Sequence, residues 1–301
     1  MSAGGKRFTY ISQKAKSFKA GSVKIATMDT WRVAFQGELG ANSDEAARAV
    51  YPRGETVPRR ALRDVFDALV GGTVDAAVVP VENSHAGAIA DTYDLLLEHR
   101  ARLYVVGEYM LRVHHHLLAL PGQSLAEIRT VSSHPQALAQ SDRYLSTLDA
   151  RVEPAYDTAG AARRIAEEGL RGAAAVASRG AASVYGLDIL AENIETNADN
   201  YTRFLVLERE PAPPPRTKTS LVLGTANTPG ALYHALGPFA ARGVNMTKLE
   251  SRPNRTRPWE YVFYLDVEGD AAEEPLRSAL GALHGLTPLL VVLGSYPTIN
   301  G

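Results

Sequence analysis

The chain of 301 residues contains no cysteine. Disulfides, zinc sites built on thiolates and cysteine nucleophiles are therefore excluded. It also lacks any run of roughly 18 apolar residues, so we expect no membrane partner and no membrane-spanning helix. A net charge of −1 at pH 7 gives no general reason to expect a nucleic acid partner. The composition suits a globular protein, and the absence of cysteine fits the reducing cytoplasm, where we expect it to reside.

Acidic residues are missing from the first 28 residues, which carry six lysines and arginines. No apolar segment typical of a secretory signal is present there. We expect residues 1–30 to form a basic, disordered extension. A transit peptide is the alternative, because such segments are also basic and poor in acidic residues.

From Trp31 onward the pattern is strand, polar turn and helix, repeated several times. Apolar runs at 32–35 and 75–81 predict buried strands, and apolar residues at helical spacing predict a helix over 59–70. A further helix begins at a cap provided by Asn42 or Ser43. The same unit recurs beyond residue 128, after extended segments that cross to a second lobe. This order predicts an α/β fold with a largely parallel sheet.

Polar side chains follow the predicted strands where helices begin. These residues are Asn83, Ser84, Ser133, His134, Gln136 and Thr158. The carboxyl ends of parallel strands meet at one cleft, where ligands bind in open α/β folds. Each helix start offers free N–H groups and the positive end of a dipole, which favour an anion. We therefore expect a small molecule with carboxylates to bind here.

The stretch from Asn200 to Phe204 precedes the apolar run of a further strand. Thr202 and Arg203 place a hydroxyl next to a guanidinium. The guanidinium can hold a carboxylate in a forked geometry, and the hydroxyl can donate to an adjacent oxygen. We interpret this run as one wall of the same cleft, with Phe204 as a packing residue. An ordinary surface arginine at a strand edge is the alternative.

Other candidate sites have weaker support. His114, His115 and His116 invite a metal site, but alternate residues of a strand face opposite ways, so we expect no metal. Glu82 is a candidate general acid only if it is buried. Neither a phosphate-binding glycine loop nor a Gly-x-Ser-x-Gly motif occurs.

A proline-rich stretch over 210–217 predicts a stiff linker between two domains. The first domain spans 31–209 and the second spans 218–298. In the second domain the predicted order of elements is βαββαβ, which is the ferredoxin-like arrangement.

The chain resembles prephenate dehydratases that carry a carboxyl-terminal ACT domain. The resemblance covers nearly all of residues 31–298. The motifs that carry it are Val33-Ala34-Phe35-Gln36-Gly37, Val79-Pro80-Val81-Glu82-Asn83-Ser84, Ser133-His134-Pro135-Gln136, Asn200 with Thr202-Arg203-Phe204, Gly230-Ala231-Leu232 and Glu250-Ser251-Arg252-Pro253.

This resemblance implies a lyase that converts prephenate to phenylpyruvate in phenylalanine biosynthesis. Its catalytic domain has two α/β lobes, similar to periplasmic binding proteins. The resemblance implies catalysis by Thr202, with substrate binding assisted by Arg203, without a cofactor or metal. It also implies a dimer or tetramer that binds phenylalanine as a regulator. The regulatory residues it indicates are Gly230, Ala231, Leu232, Asn245, Glu250, Ser251, Arg252 and Pro253.

Two alternatives stay open at this point. Related enzymes act on arogenate, which has an amino group where prephenate has a keto oxygen, and no residue of the sequence decides between the two. A non-catalytic sensor of carboxylates on the same scaffold is the other alternative. It would bind a ligand without turnover.

Overall fold

The computed structural model describes residues 30–254 and 260–299 of the chain. The basic extension expected at 1–30 lies outside this part except for its last residue. The described residues form two compact units, one built from 31–95 and 108–208 and the other from 96–107 and 209–298. None of the helices in the described ranges has both the length and the apolar character needed to cross a membrane.

The first unit contains two α/β lobes, and the first lobe extends, through the end of its third helix and the start of its fifth strand, into the range 96–107 that is grouped with the other unit. The elements of the first lobe are β1 (Arg32–Gln36), α1 (Asn42–Val50), β2 (Glu55–Arg59), α2 (Leu62–Val70), β3 (Ala76–Asn83), β4 (Gly87–Ala88), α3 (Ala90–Glu98), β5 (Tyr104–Arg112) and, after the second lobe, β11 (Tyr201–Glu208). Among these strands the sheet order is β5-β11-β3-β1-β2, with β4 paired to β3. Strand β1 runs parallel to β2 and β3, whereas β11 runs antiparallel to β3.

The second lobe lies between β5 and β11 in sequence. Its elements are β6 (His116–Ala119), a short 3-10 helix (Leu125–Glu127), β7 (Thr130–Ser133), α4 (Pro135–Gln140), α5 (Asp142–Leu145), β8 (Arg151–Pro154), α6 (Thr158–Glu168), β9 (Ala173–Ala177), α7 (Arg179–Tyr185) and β10 (Asp188–Ala191). The sheet order is β10-β6-β9-β7-β8. The chain therefore crosses between the lobes twice, once at 113–115 and once at 192–200. This is the two-lobed α/β arrangement that the sequence predicted.

Apolar side chains hold each lobe together. In the first lobe, Val33 and Phe35 of β1 are fully buried, as expected for a central strand of a sheet covered by helices. Val65, Phe66 and Leu69 of α2 are also fully buried and recur at helical spacing, so they form one stripe against the sheet. The local sequence pattern thus determines which helix face packs inward.

The structure differs from the sequence expectations in three respects. The sheets are mixed rather than largely parallel, because β6, β10 and β11 run antiparallel to their neighbours. Strand β2 was not expected, since it is short and contains Pro58. Its position at the sheet edge tolerates a proline. The helix expected from residue 59 begins at Leu62, and Ala41 precedes α1 without a side-chain cap.

The loop after β1 brings the two lobes into contact. Gly40 has a φ of +80°, and a Cβ there would lie 2.6 Å from the Cα of Ala181 in α7. A side chain at this position would therefore be both strained and blocked by backbone. Nearby, Ser178 donates to the Gly40 carbonyl, and the Tyr185 hydroxyl donates to the Leu39 carbonyl at 2.9 Å.

The second unit has the βαββαβ order that the sequence predicted. Its elements are β12 (Lys218–Gly224), α8 (Ala231–Ala240), β13 (Met246–Pro253), β14 (Tyr261–Glu268), α9 (Leu276–Ala282) and β15 (Leu289–Tyr296), followed by a short β16 (Thr298–Ile299). The sheet order is β13-β14-β12-β15, and all these pairs are antiparallel. Residues 209–217, all of them described, contain no helix or strand, as the proline-rich composition predicts.

Candidate active site

A cleft of about 350 Å³ lies between the two lobes of the first unit. Its first wall is the edge of the first sheet, where β1, β2 and β3 end and β11 begins. The second wall follows the ends of β7 and β8. Its polar and aromatic lining consists of Gln36, Asn42, Ser43, Arg60, Asn83, His115, His134, Gln136, Gln140, Tyr156, Asp157, Thr158, Thr202 and Phe204.

The amide of Asn83, at the end of β3, has a defined orientation. Its Oδ1 accepts hydrogen bonds from the backbone N–H groups of His85 at 3.1 Å and Ala86 at 3.0 Å. A backbone N–H can only donate, so the oxygen of the amide is identified without ambiguity. The Nδ2 group therefore faces the other way, where its two hydrogens are shared among Asn200 Oδ1 at 2.8 Å, the Tyr201 carbonyl at 3.1 Å and Thr202 Oγ1 at 3.1 Å.

Thr202 lies on β11 directly opposite Asn83. Because alternate residues of a strand face the same side, Thr202 and Phe204 both line the cleft. The Thr202 oxygen accepts from Asn83, which leaves its own hydrogen available to donate to a ligand. The predicted wall of the cleft thus has a hydroxyl donor and, beside it, a buried aromatic ring.

The network continues from Asn83 into the second lobe. Asn200 Nδ2 donates to Gln140 Oε1 at 3.0 Å, and His115 Nε2 lies 2.9 Å from the same oxygen. His115 must therefore carry its hydrogen on Nε2, and burial lowers the pKa of this histidine, so the neutral ring is favoured. The Gln140 Nε2 group is buried and has no hydrogen-bond partner within the described residues, so it is available to a ligand.

Helix starts reach the cleft from both lobes, as the sequence predicted. His134 caps α4 by accepting the Gln136 N–H on its Nδ1 at 3.2 Å, so a neutral His134 carries its hydrogen on Nε2. Asp157 caps α6 by accepting the Gly160 N–H, and Thr158 begins that helix. The start of α1 lines the cleft without a side-chain cap. Free N–H groups at such a start favour an anion.

Arg203 faces away from the cleft lining. Its guanidinium lies on the opposite side of β11 from Thr202, where Nε and Nη2 donate to Glu108 Oε2, both at 2.8 Å. Arg203 is 9% exposed and Glu108 is 2% exposed, so the ion pair is buried. This geometry does not support the expected direct contact between Arg203 and a substrate carboxylate. Arg203 instead anchors the strand that carries Thr202.

Two predicted serines have structural partners. Ser133 is fully buried and donates to the Val176 carbonyl at 2.6 Å, which ties β7 to β9. Ser84 donates to the Asp199 carbonyl and accepts from the Tyr201 N–H, each at 3.0 Å. Neither serine lines the cleft. Asn200 lines an adjoining cavity of about 440 Å³, which shares Gln136 and Gln140 with the cleft.

Sequence reasoning missed several cleft residues. Arg60, which follows β2, lies with its guanidinium carbon 5.4 Å from the ring centroid of Tyr156 on the second lobe. The Tyr156 hydroxyl donates to the Arg60 carbonyl at 3.0 Å. Gln140 and His115 join the network described above. A polar residue directly after a strand is a candidate for the cleft, and Arg60 directly follows β2. Arg60 was not identified in this way because β2 itself was not recognised in the sequence.

Each of the three consecutive histidines has a hydrogen-bond partner. His114 pairs with Glu195 at 2.9 Å, His115 with Gln140, and His116 Nδ1 accepts the Asn193 N–H at 3.3 Å. In the described ranges, no cluster of three or more potential metal ligands occurs. Glu82 alternates with Asn83 along β3 and is absent from the cleft lining.

A third cavity, of about 250 Å³, lies within the βαββαβ unit. It is lined by the start of α8, including the predicted residues Gly230, Ala231 and Leu232, and by Tyr261 and Phe263 of β14. The other predicted regulatory residues lie elsewhere. Glu250, Ser251, Arg252 and Pro253 belong to β13, an edge strand, and Asn245 donates to Glu268 at 3.0 Å.

The sequence and structure match known proteins along most of the chain. Residues 33–212 match the family model for prephenate dehydratase, and residues 219–285 match that of the ACT domain. The chain is 47% identical over 278 residues to arogenate dehydratase/prephenate dehydratase 2, chloroplastic, from Arabidopsis thaliana. That match covers 88% of this chain and 72% of the relative.

Two solved structures have the same fold over most of their length. One, described as GqqA, a novel type of quorum quenching acylases, is 40% identical with a TM-score of 0.83 and covers 89% of this chain and 98% of that chain. The other is prephenate dehydratase from Arthrobacter aurescens in complex with L-Phe. It is 31% identical with a TM-score of 0.81 and covers 88% of this chain and 89% of that chain.

The buried ion pair leads to a stability prediction. Replacing Glu108 by glutamine leaves the Arg203 charge buried without its counterion, so we expect the free energy of unfolding to fall by about 3–5 kcal/mol. The matched control is Glu55→Gln in β2, which removes an exposed ion pair with Arg32 and should cost at most about 1 kcal/mol. Urea unfolding measures the free energy of unfolding of both variants. Equal stability of the two variants would contradict an anchoring role for Glu108.

Proposed function

This chain belongs to the prephenate dehydratase family, and we propose that it removes carbon dioxide and water from prephenate to form phenylpyruvate. The observation that carries this proposal is the hydrogen bond from Asn83 Nδ2 to Thr202 Oγ1. It directs a hydroxyl donor into a cleft that also receives helix starts from both lobes.

The reaction requires the enzyme to bind the prephenate dianion and to assist the departure of its ring hydroxyl. The bond from the ring to its carboxylate breaks, carbon dioxide departs, and the electron pair completes the aromatic ring. The hydroxyl on the opposite ring carbon leaves with a proton as water. Because aromatisation strongly favours the products, the enzyme has to fix the dianion and stabilise the departing hydroxide.

Thr202 is placed to stabilise the leaving hydroxyl. A threonine hydroxyl is a very weak acid, so it contributes as a hydrogen-bond donor rather than as the source of the proton. Donation from Asn83 to its oxygen polarises the O–H bond and strengthens that donor. His134, whose Nε2 carries a hydrogen, or a water molecule beside it, is the proposed second donor.

An acyl-transfer reaction has less support in this cleft. Hydrolases that use a hydroxyl nucleophile activate it through a hydrogen bond to a base. Here the partner of Thr202 is the Asn83 amide, which donates and cannot accept the proton. His115 Nε2 is bonded to Gln140 Oε1, and His134 Nδ1 accepts the Gln136 N–H, so neither of these nitrogens is paired with Thr202. The geometry therefore favours the dehydratase over the acylase named for one structural relative.

Removal of the Thr202 hydroxyl tests the proposed chemistry. We expect Thr202→Val to lower kcat for phenylpyruvate formation by about 10²–10³ with little change in KM, because the lost donor acts on charge that develops in the transition state. Thr202→Ser should retain activity, and Tyr201→Phe, which alters a neighbouring hydroxyl outside the cleft, serves as the control. Near-normal turnover by Thr202→Val would rule out this role. Binding of prephenate without turnover by the native protein would favour a sensor.

We further propose that phenylalanine regulates the activity by binding the cavity beside α8. The cavity combines the apolar and aromatic side chains of Leu232 and Phe263 with the start of a helix at Gly230. These groups suit an aromatic ring and a carboxylate. The named complex with L-Phe of a structural relative supports this assignment. A homo-oligomer and a cytoplasmic location stay predictions; some relatives are named chloroplastic.

A substitution that fills this cavity should separate regulation from catalysis. In the native protein we expect added phenylalanine to shift the thermal midpoint and to change turnover. Ala231→Phe places a ring in the cavity and should remove both effects. Ala240→Phe, on an exposed position of the same helix, is the matched control and should keep them. Unaltered regulation in Ala231→Phe would contradict the proposed effector site.

A further inference from the structure

We propose that Arg60 determines substrate choice in this cleft, favouring the keto acid prephenate over its amino analogue arogenate. The inference rests on the proposed dehydratase function and assigns a role to a residue that the family motifs do not include. Within the part of the chain that the structure describes, Arg60 is the one arginine or lysine on the cleft lining. Arg203, the cation expected to hold the substrate, is engaged with Glu108.

The position of Arg60 fits the far end of the substrate. The sheet order β11-β3-β1-β2 separates Thr202 on β11 from the end of β2 by three strand spacings, or about 14 Å at about 4.8 Å each. In prephenate the hydroxyl and the keto acid tail sit on opposite carbons of the ring. With the hydroxyl at Thr202, the tail lies on the far side of the ring, and we place it towards the β2 side, from which the long Arg60 side chain can reach back.

Arg60 is exposed at the cleft, where it contacts Tyr156 of the second lobe. Its guanidinium lies on the Tyr156 ring, and its backbone carbonyl accepts the Tyr156 hydroxyl. A guanidinium on an aromatic face keeps its N–H groups free at the edge of the plane to donate. The Arg60 guanidinium of the first lobe thus offers a forked set of N–H donors to the cleft. Tyr156 of the second lobe positions it.

A fixed cation distinguishes the two tails by charge. Guanidinium N–H groups can donate to the keto oxygen and the adjacent carboxylate of prephenate. Arogenate places an ammonium group where the keto oxygen lies, so Arg60 would meet a like charge and a donor. The other charged side chain on the lining is Asp157, whose carboxylate is already bonded to the start of α6. The histidines there are His115, whose pKa is lowered by burial, and His134, the α4 cap.

The test compares kcat/KM for prephenate and arogenate in four proteins: the native chain, Arg60→Gln, Arg60→Lys and Arg59→Gln. Arg59 is the matched control because it is the adjacent arginine, bonded to the Pro58 carbonyl and absent from the cleft lining. We expect the native protein to prefer prephenate. Arg60→Gln should lower kcat/KM for prephenate about tenfold, mainly through KM, and change that for arogenate less than twofold. Arg60→Lys should be intermediate and Arg59→Gln native-like.

Each other outcome is decisive. A native preference for arogenate, or an equal loss for both substrates in Arg60→Gln, overturns the assignment of Arg60 and leaves the dehydratase intact. If the native protein converts neither substrate, the proposed function fails. Calorimetric titration of prephenate then tests Arg60 alone: weaker binding only in Arg60→Gln supports the contact, and equal binding in Arg60→Gln and Arg59→Gln overturns it.

Discussion

The geometry of the cleft depends on the orientation of one amide, that of Asn83. Two backbone N–H groups fix its oxygen, so its nitrogen must face Thr202 and Asn200. Asn200 in turn donates to Gln140 Oε1 on the other side of the cleft, and His115 Nε2 donates to the same oxygen. A buried network of this kind specifies every donor and acceptor along it, because an inverted amide would leave buried groups unsatisfied. The available hydroxyl hydrogen of Thr202 is therefore a consequence of the backbone turn after β3.

Side chains alternate along β11, so residues that line the cleft lie on one side of the strand and the residue that anchors the strand lies on the other. Thr202 and Phe204 face the cleft, while Arg203 between them is buried against Glu108 on the other side. A buried ion pair is expensive to break, since either partner alone would be an unpaired buried charge. This anchoring holds the catalytic strand in place, and it leaves the binding of the substrate tail to other cleft residues. Among the described residues, Arg60 at the far end of the same sheet edge is the cation on the cleft lining, and we propose it for that task.

Much of the fold could be predicted from the sequence, because strand ends and helix starts depend on residues that are near one another in the chain. Asn83, Gln136 and Thr158 line the cleft at strand ends and helix starts, which short sequence patterns encode. The direction of Arg203 was misjudged, although strand periodicity alone puts it opposite Thr202. Arg60 was missed because β2 was not recognised, and its contact with Tyr156 could not be predicted because no local pattern encodes a contact between two lobes.

The central claim is that Asn83 must donate to Thr202, and Asn83→Asp tests it most directly. The carboxylate can still accept from the two backbone N–H groups, but it has no hydrogen to give, so the Thr202 hydroxyl would turn to donate to it. We predict that kcat for phenylpyruvate formation falls by about 10² or more while KM changes only severalfold and the variant stays folded by circular dichroism. Turnover within a few-fold of the native protein would contradict this account.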